Sequence, residues 1–290
     1  MTNKLITEQL TGSVPVELPQ FRRLDSETAI SSLGPLSDLV GSWMGNQGWN
    51  LIAVPDGDNG FNLLIRPYFE TITFAALGEL VPNRGGTETM FIAGVQYELR
   101  TTDAQTNQPL HVENGMWLFP EPGTDEAAGT IARMSSIPHG DSVLALGSFS
   151  TTKGAPTIPD IDALPVTGQG APLGYTDPYL VPLQGFTPSN PNKNLQSAIE
   201  GQKILQTTTL QVSSQEQGGI TNIPFVVKHA NATAFTCTFW IETVEAPGGG
   251  QPFLQLQYSQ QTNLEFLPRF DDPSQLIMWP HVNINTLVKQ

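Results

Sequence analysis

Toward the end of the chain, apolar and polar residues alternate with the period of a half-buried strand. In 234–244, Phe235, Cys237, Phe239 and Ile241 face one way, and Thr236, Thr238, Trp240 and Glu242 the other. In 253–258, Phe253, Gln255 and Gln257 alternate with Leu254, Leu256 and Tyr258. Aromatic and aliphatic runs at 61–77, 88–99, 109–119, 129–137, 141–150, 203–214 and 223–230 complete the set, with turn residues between them. About ten antiparallel strands joined over hairpin distances predict an all-β fold, a closed barrel or a sandwich.

Two segments break the pattern. Residues 1–40 read as an N-terminal extension, in which "DSETAISSLGPLSDLVGSW" predicts two short helical turns, Asp25 or Ser26 capping the first and Pro35 opening the second. Residues 151–200 carry eight prolines and five glycines, too many for strands. The same stretch holds Ile158, Ile161, Leu164, Tyr175, Tyr179, Leu180, Leu183 and Phe186, which a free linker has no use for. It is expected to pack as an irregular flap over one end or flank. The predicted organisation is a single domain over 1–290, with barrel strands in 41–150 and 201–290.

Charge narrows the partners. A net charge of −14 repels phosphate backbones and anionic membrane surfaces, so neither nucleic acid nor membrane is expected. The N-terminus has no continuous apolar run of the signal-peptide kind, and a cytoplasmic location is the expectation. The single cysteine, Cys237, excludes an intrachain disulfide and reads as a buried core thiol.

Motifs for nucleophilic, zinc or phosphate chemistry (GxSxG, HExxH, CxxC, a Walker loop, a dinucleotide fingerprint) are not in the sequence. The four histidines, His111, His139, His229 and His281, are scattered, although a barrel can converge distant residues. His111 and Glu113 share one strand face, either as a pocket-edge pair or as a surface ion pair. His139 reads as a turn residue at a rim and His229 as a strand-end residue. Arg66, Arg100 and Arg133 are the cations that could meet a ligand's carboxylates, or else solvated strand residues. The chain ends "IMWPHVNINTLVKQ", where Pro280 limits the backbone before His281 and Trp279 and Val282 can anchor it, an unusual pattern for a loose tail.

Three stretches resemble the nitrobindin-like haem-binding β-barrels. "LGPLSDLVGSWMGNQGWNLI" (33–52) is similar to that family's opening through Gly41, Ser42, Trp43, Gly45 and Gly48. "QPLHVENGMWLFPEPG" (108–123) is similar to its P-[LM]-H-x-E-x-G strand through Pro109, Leu110, His111, Glu113, Gly115 and Trp117. "WPHVNINTLVK" (279–289) looks like its P-H-x-x-x-x-L segment, whose histidine is the proximal iron ligand. The first strand departs from the family's G-x-G-x-G-x-Y-P-T-I, reading "GNQGWNLIAVP".

The resemblance implies a roughly ten-stranded, calycin-like antiparallel β-barrel holding haem b. It implies His281 as the proximal ligand to iron and His111 lining the pocket, with Glu113 and Trp117 as structural or wall residues. Trp43 and Met44, with Phe69 and Phe74, are expected as apolar wall. Reaction with NO, peroxynitrite or peroxide would follow, whether or not as an enzyme, and a homodimer is compatible with it. Two other readings stand beside this one. One is a haem-free lipocalin- or fatty-acid-binding-like carrier of an apolar small molecule; the other is a cofactor-free enzyme using His111, Glu113 or His139 as acid and base.

Overall fold

The computed structural model describes residues 22–57, 60–84, 89–120, 130–165, 175–181, 183 and 185–290. The expectations for residues 1–21, and for much of the middle of the 151–200 segment, lie outside these.

Ten long strands close into an antiparallel barrel. They are β2 (Gly41–Asp56), β3 (Gly60–Ala76), β5 (Thr89–Asp103), β6 (Pro109–Pro120), β7 (Thr130–Ile137), β8 (Asp141–Lys153), β9 (Ile204–Asn222), β10 (Asn231–Val244), β11 (Phe253–Pro268) and β12 (Leu276–Lys289). Neighbours run β2-β3-β5-β6-β7-β8-β9-β10-β11-β12, and β12 pairs back onto β2 through Asn283↔Asn50 and Lys289↔Trp43. Two short strands sit outside: β4 (Glu79–Arg84) pairs with the start of β5, and β1 (Arg22–Arg23) with β4. The predicted all-β barrel of about ten strands is the fold observed.

Strand alternation sets what faces in. Phe74, Val95, Trp117, Ile131, Phe235, Phe239 and Leu256 are among the buried residues that fill one continuous core. The lower end is plugged by a 3-10 turn, Gly34–Leu39, which buries Leu36 and Leu39 and accepts Trp43 Nε1 at the Leu39 carbonyl (2.7 Å). Before it lies α1 (Ser26–Ser31), capped by Asp25, whose Oδ1 accepts from Thr28 N (2.9 Å). The two predicted helical turns are therefore present, the second as 3-10 helix opened by Pro35.

The first strand owes its shape to glycine. Its register shifts between Gly45 and Gly48. A Cβ on Gly48 would sit 2.3 Å from the Tyr68 ring, so glycine lets Tyr68 pack flat and carry its hydroxyl to Tyr258 (2.7 Å) and to the Ile284 carbonyl (3.0 Å).

The flap covers a flank, not an end. Ile158, Ala163, Tyr179, Phe186 and Leu195 bury themselves on the outward residues Leu51, Trp240, Val282 and Ile284, and Phe186 stacks on Trp49 with centroids 4.4 Å apart. A short helix, α2 (Asn192–Ala198), closes it. This explains why β10 and β11 have no solvated side where the flap lies: Trp240, Glu242, Gln255 and Gln257 point outward yet are buried.

One expected strand is wrong. Residues 223–230 are not extended; Pro224–His229 form helix α3, inside the connection between β9 and β10. Pro224 cannot donate to a ladder but suits a helix's first position, and Lys228 and His229 lie in the last turn, where cations are favoured.

Candidate functional site

The upper end is where the connections 104–108, 138–140, 223–230 and 269–275 lie. In the lower half inward residues such as Trp43 and Trp117 are fully buried, whereas near the upper end inward residues including Asn50, His111, His281 and Asn283 are only half-buried. Solvent therefore reaches the interior from above.

Three histidines meet there. His281, on β12, places Nε2 2.7 Å from Asn50 Oδ1 across the closing seam. The same oxygen accepts from Asn283 Nδ2 (2.8 Å), so it serves as an acceptor, and His281 donates Nε2–H and keeps its lone pair on Nδ1. His111, on β6, tilts against His139 from the β7–β8 turn, with ring centroids 5.6 Å apart. Desolvation, then His111 and His139, hold the His281 pKa down at about 3, so its imidazole is neutral at ordinary pH. His139 is lowered by burial and by His111. Beside it, Asp141 has one buried oxygen without a partner, and burial pushes its carboxyl up against the pull of both histidines.

Beneath the histidines lies a polar floor. Glu113 and Arg133 are both 1% exposed and pair at 2.8 Å (Arg133 Nη2 to Oε1). Tyr97 donates to the same Glu113 oxygen, Arg133 Nε donates to Tyr97 (3.1 Å), and Arg133 Nη1 reaches Cys237 Sγ (3.0 Å). The guanidinium lies 5.3–5.6 Å from the ring centroids of Tyr97, Trp117, Phe235 and Phe239. Burial opposes ionisation of Glu113, but Arg133 and His111 outweigh it and hold the carboxyl well below its usual range. Gly115 makes the approach possible, since a Cβ there would lie 2.6 Å from the Tyr97 hydroxyl. A second network holds Glu70, which accepts from Tyr258 (2.9 Å) and Asn285 (2.7 Å). Among the described residues it has no cation in contact, and burial raises it to about 7.

The structure sorts the expected residues. His281 and His111 share the upper end, as does His139, and Glu113 is a buried partner of His111 (3.4 Å) rather than half of a surface ion pair. Trp43 is not at this end; it is fully buried beside the lower plug. Met44 is 52% exposed on the outer face, because successive strand residues point to opposite sides. Phe69 is likewise outward and Phe74 belongs to the core. Arg133 is buried, not solvated. Arg100 is outside with Glu98 (2.5 Å), and Arg66 lies near Asp103 (3.8 Å). His229 is on α3 rather than at a strand end, its Nδ1 2.8 Å from the Phe225 carbonyl oxygen. Cys237 is the expected buried thiol, with burial raising it to about 11.

A cavity of about 1250 Å³ lies elsewhere, lined by outward residues of several strands, such as Thr73, Gln96, Glu98, Met116 and Met134. It contains none of the histidines and is not the candidate site.

The fold and its upper end define an antiparallel barrel with a histidine-lined mouth over a buried polar floor. Residues 32–158 match the family model described as "THAP4-like, heme-binding beta-barrel domain", which bears out the resemblance over that stretch. The match takes in β2 to β8, with His111, Glu113, Arg133 and His139, and stops short of His281. No curated protein matches the chain. Among solved structures, the chain is similar to that of Rv2717c from M. tuberculosis, at 18% identity and a TM-score of 0.47, covering 92% of this chain and 99% of that one.

Proposed function

We propose that the upper end of the barrel binds haem b, with His281 as the ligand to iron and His111 lining the same cavity. The observation that carries this is the convergence of a neutral His281 on β12 with His111 on β6 and His139 from the β7–β8 turn, in the part of the interior that solvent reaches.

The residues fit such a group. A haem iron needs one neutral imidazole from the protein, oriented by a partner on its other nitrogen. His281 is neutral and Asn50 holds its ring. Among the described residues no cluster of three or more His, Cys, Asp or Glu is arranged to hold a bare metal ion. A site needing only one protein ligand suits this donor set better. Ile137 and Ile220, packed against the core, supply apolar surface. Bound haem would supply an iron able to take NO and to react with peroxynitrite or peroxide. The chain's own part is to present one imidazole, to exclude bulk water with the filled lower core, and to keep His111 and His139 as neighbours able to hydrogen-bond a small ligand.

Purified protein titrated with hemin tests this. Stoichiometric uptake with a Soret band is expected, lost in His281→Ala and retained with altered ligand kinetics in His111→Ala. An unchanged spectrum in His281→Ala, or no uptake by wild type, would refute the reading and favour a haem-free carrier of an apolar molecule. Trp43→Phe and Met44→Leu are expected to leave uptake unchanged.

A further inference from the structure

The carboxylate beneath His111 has both of its oxygens committed. Glu113 Oε1 accepts from Arg133 Nη2 (2.8 Å) and from the Tyr97 hydroxyl, and Oε2 faces His111 Nε2 (3.4 Å). Arg133 Nε donates to the Tyr97 oxygen (3.1 Å), which leaves the phenol proton for Glu113. Burial opposes ionisation of this carboxyl, but Arg133 holds it ionised, and a carboxylate can only accept. His111 must therefore donate Nε2–H downward.

That bond fixes what His111 offers to the mouth. The two ring nitrogens of an imidazole point in nearly opposite directions, and a neutral ring carries a proton on only one of them. With Nε2 turned to the floor, Nδ1 is turned to the mouth as a bare lone pair. The side chain is 25% exposed above a Glu113 that is 1% exposed, so the ring spans from floor to solvent. Its neighbours add acceptors. His281 likewise gives Nε2–H to Asn50 and keeps its lone pair on Nδ1. Asp141 and Asn222 face each other across β8 and β9 at the same end, and each has one buried oxygen without a donor among the described residues. The Asn222 amide nitrogen is already spent on Asn231 Oδ1 (3.0 Å) and the Ala232 carbonyl (2.8 Å), and that of Asn283 on Asn50 Oδ1.

We propose that Glu113 and Arg133 are a positioning pair that fixes His111 as a hydrogen-bond acceptor, so that the mouth prefers a small ligand carrying its own O–H, as a hydroperoxide does, over a diatomic gas that offers only lone pairs. The ligand preference rests on the haem reading; the setting of His111 does not. An ion pair kept for stability alone would put no condition on the imidazole proton, and this arrangement does.

The setting of His111 is read from its imidazole nitrogen resonances in the haem-free protein at pH 8, above the ordinary histidine range of ~6.5. In wild type Nε2 is expected to be the protonated nitrogen, with a proton slow to exchange, and Nδ1 the bare one. Glu113→Gln is the decisive variant. Arg133 and Tyr97 still donate where Oε1 lay, so they hold the new amide with its oxygen toward them and its NH2 toward His111. A donor facing Nε2 forces the proton to Nδ1, and the two nitrogen signals exchange places. An unchanged tautomer in the variant overturns the proposal, as does a wild type protonated at Nδ1. If the variant fails to fold, the wild-type Nε2–H decides: protection from exchange supports the pairing with Glu113, and rapid exchange overturns it. In hemin-loaded protein, Glu113→Gln is expected to lower the second-order rate with hydrogen peroxide about tenfold, the worth of one hydrogen bond, and to leave NO binding no weaker. Equal losses for both, or none for peroxide, overturn the preference. Failure of wild type to take up hemin overturns the preference together with the haem reading and leaves the setting of His111 to the nitrogen signals.

Discussion

Replacing Arg133 by methionine tests the polar floor, because it keeps a long apolar stem and removes only the charge. Glu113 would then keep Tyr97 and His111 as partners and lose its buried cation. The protein contains its own reference for that state. Glu70, also buried and hydrogen-bonded but with no cation in contact among the described residues, sits at about 7 instead of 4.5. If Glu113 moved to a similar value, keeping it ionised above neutrality would cost ~3 kcal/mol, at about 1.36 kcal/mol per pH unit. Breaking one side of a buried ion pair generally costs ~3–5 kcal/mol, so the two routes agree. The sign of the pH dependence follows. In wild type the Glu113 carboxyl is depressed, so its contribution is present above the unfolded pKa and fades as pH falls. In Arg133→Met the carboxyl is raised, so the variant loses stability as pH rises from about 4.5 to 7. Urea unfolding at pH 5 and pH 8 should therefore show a deficit that is largest at pH 8 and shrinks at pH 5. Adding Glu113→Gln should recover most of it. A deficit under ~1 kcal/mol at pH 8, or one that does not shrink at pH 5, would refute the argument.

Three other outcomes follow from the same packing. Glu70→Gln should flatten the wild-type loss of stability between about pH 4.5 and 7, since a raised carboxyl destabilises as it ionises; the urea midpoint across that range reads it. Gly48→Ala should cost ~1–3 kcal/mol by pushing Tyr68 off its site, seen as a lower thermal midpoint together with altered tyrosine absorbance. Replacing 158–199 with a short Gly/Asn linker should leave a folded but weaker barrel. Uncovering Leu51, Trp240, Val282 and Ile284 forfeits ~1.5–3 kcal/mol for each side chain fully exposed, and loss of all cooperative melting would mean that the flap belongs to the core.

Most of the fold was written in period-two alternation, and the places where reading failed have a common cause. Trp240, Glu242, Gln255 and Gln257 look like the solvent face of ordinary strands, because nothing local says that a segment distant in sequence will cover them. The α3 stretch reads as a strand because Val226 and Val227 carry β propensity, while the decisive signal is Pro224. Trp43 and Met44 could not both line one cavity, since neighbours on a strand face opposite ways. That rule alone would have removed one of them.

The mouth was only partly legible, for a topological reason. Asn50 and His281 lie 231 positions apart, and they touch because β12 closes the barrel onto β2. No spacing rule anticipates that contact. His139 arrives from a turn, where a histidine reads as surface. The β6 stretch "PLHVENGMW" is more informative once its strand is seen as an axial section of the barrel. Inward residues descend in order: His111 at the mouth, Glu113 in the charged floor, Gly115 where Tyr97 presses in, Trp117 in the core. One short motif thus spans four environments. Its residues need not share a role to belong together, because each is required by the depth at which the strand presents it. This also explains why Glu113 and Trp117 can matter to the site without lining the mouth. Arg133 packs against the rings of Trp117 and Phe239, and it holds Glu113 ionised beneath His111. A fault in the core at Trp117 would therefore reach the mouth through the Arg133–Glu113 pair.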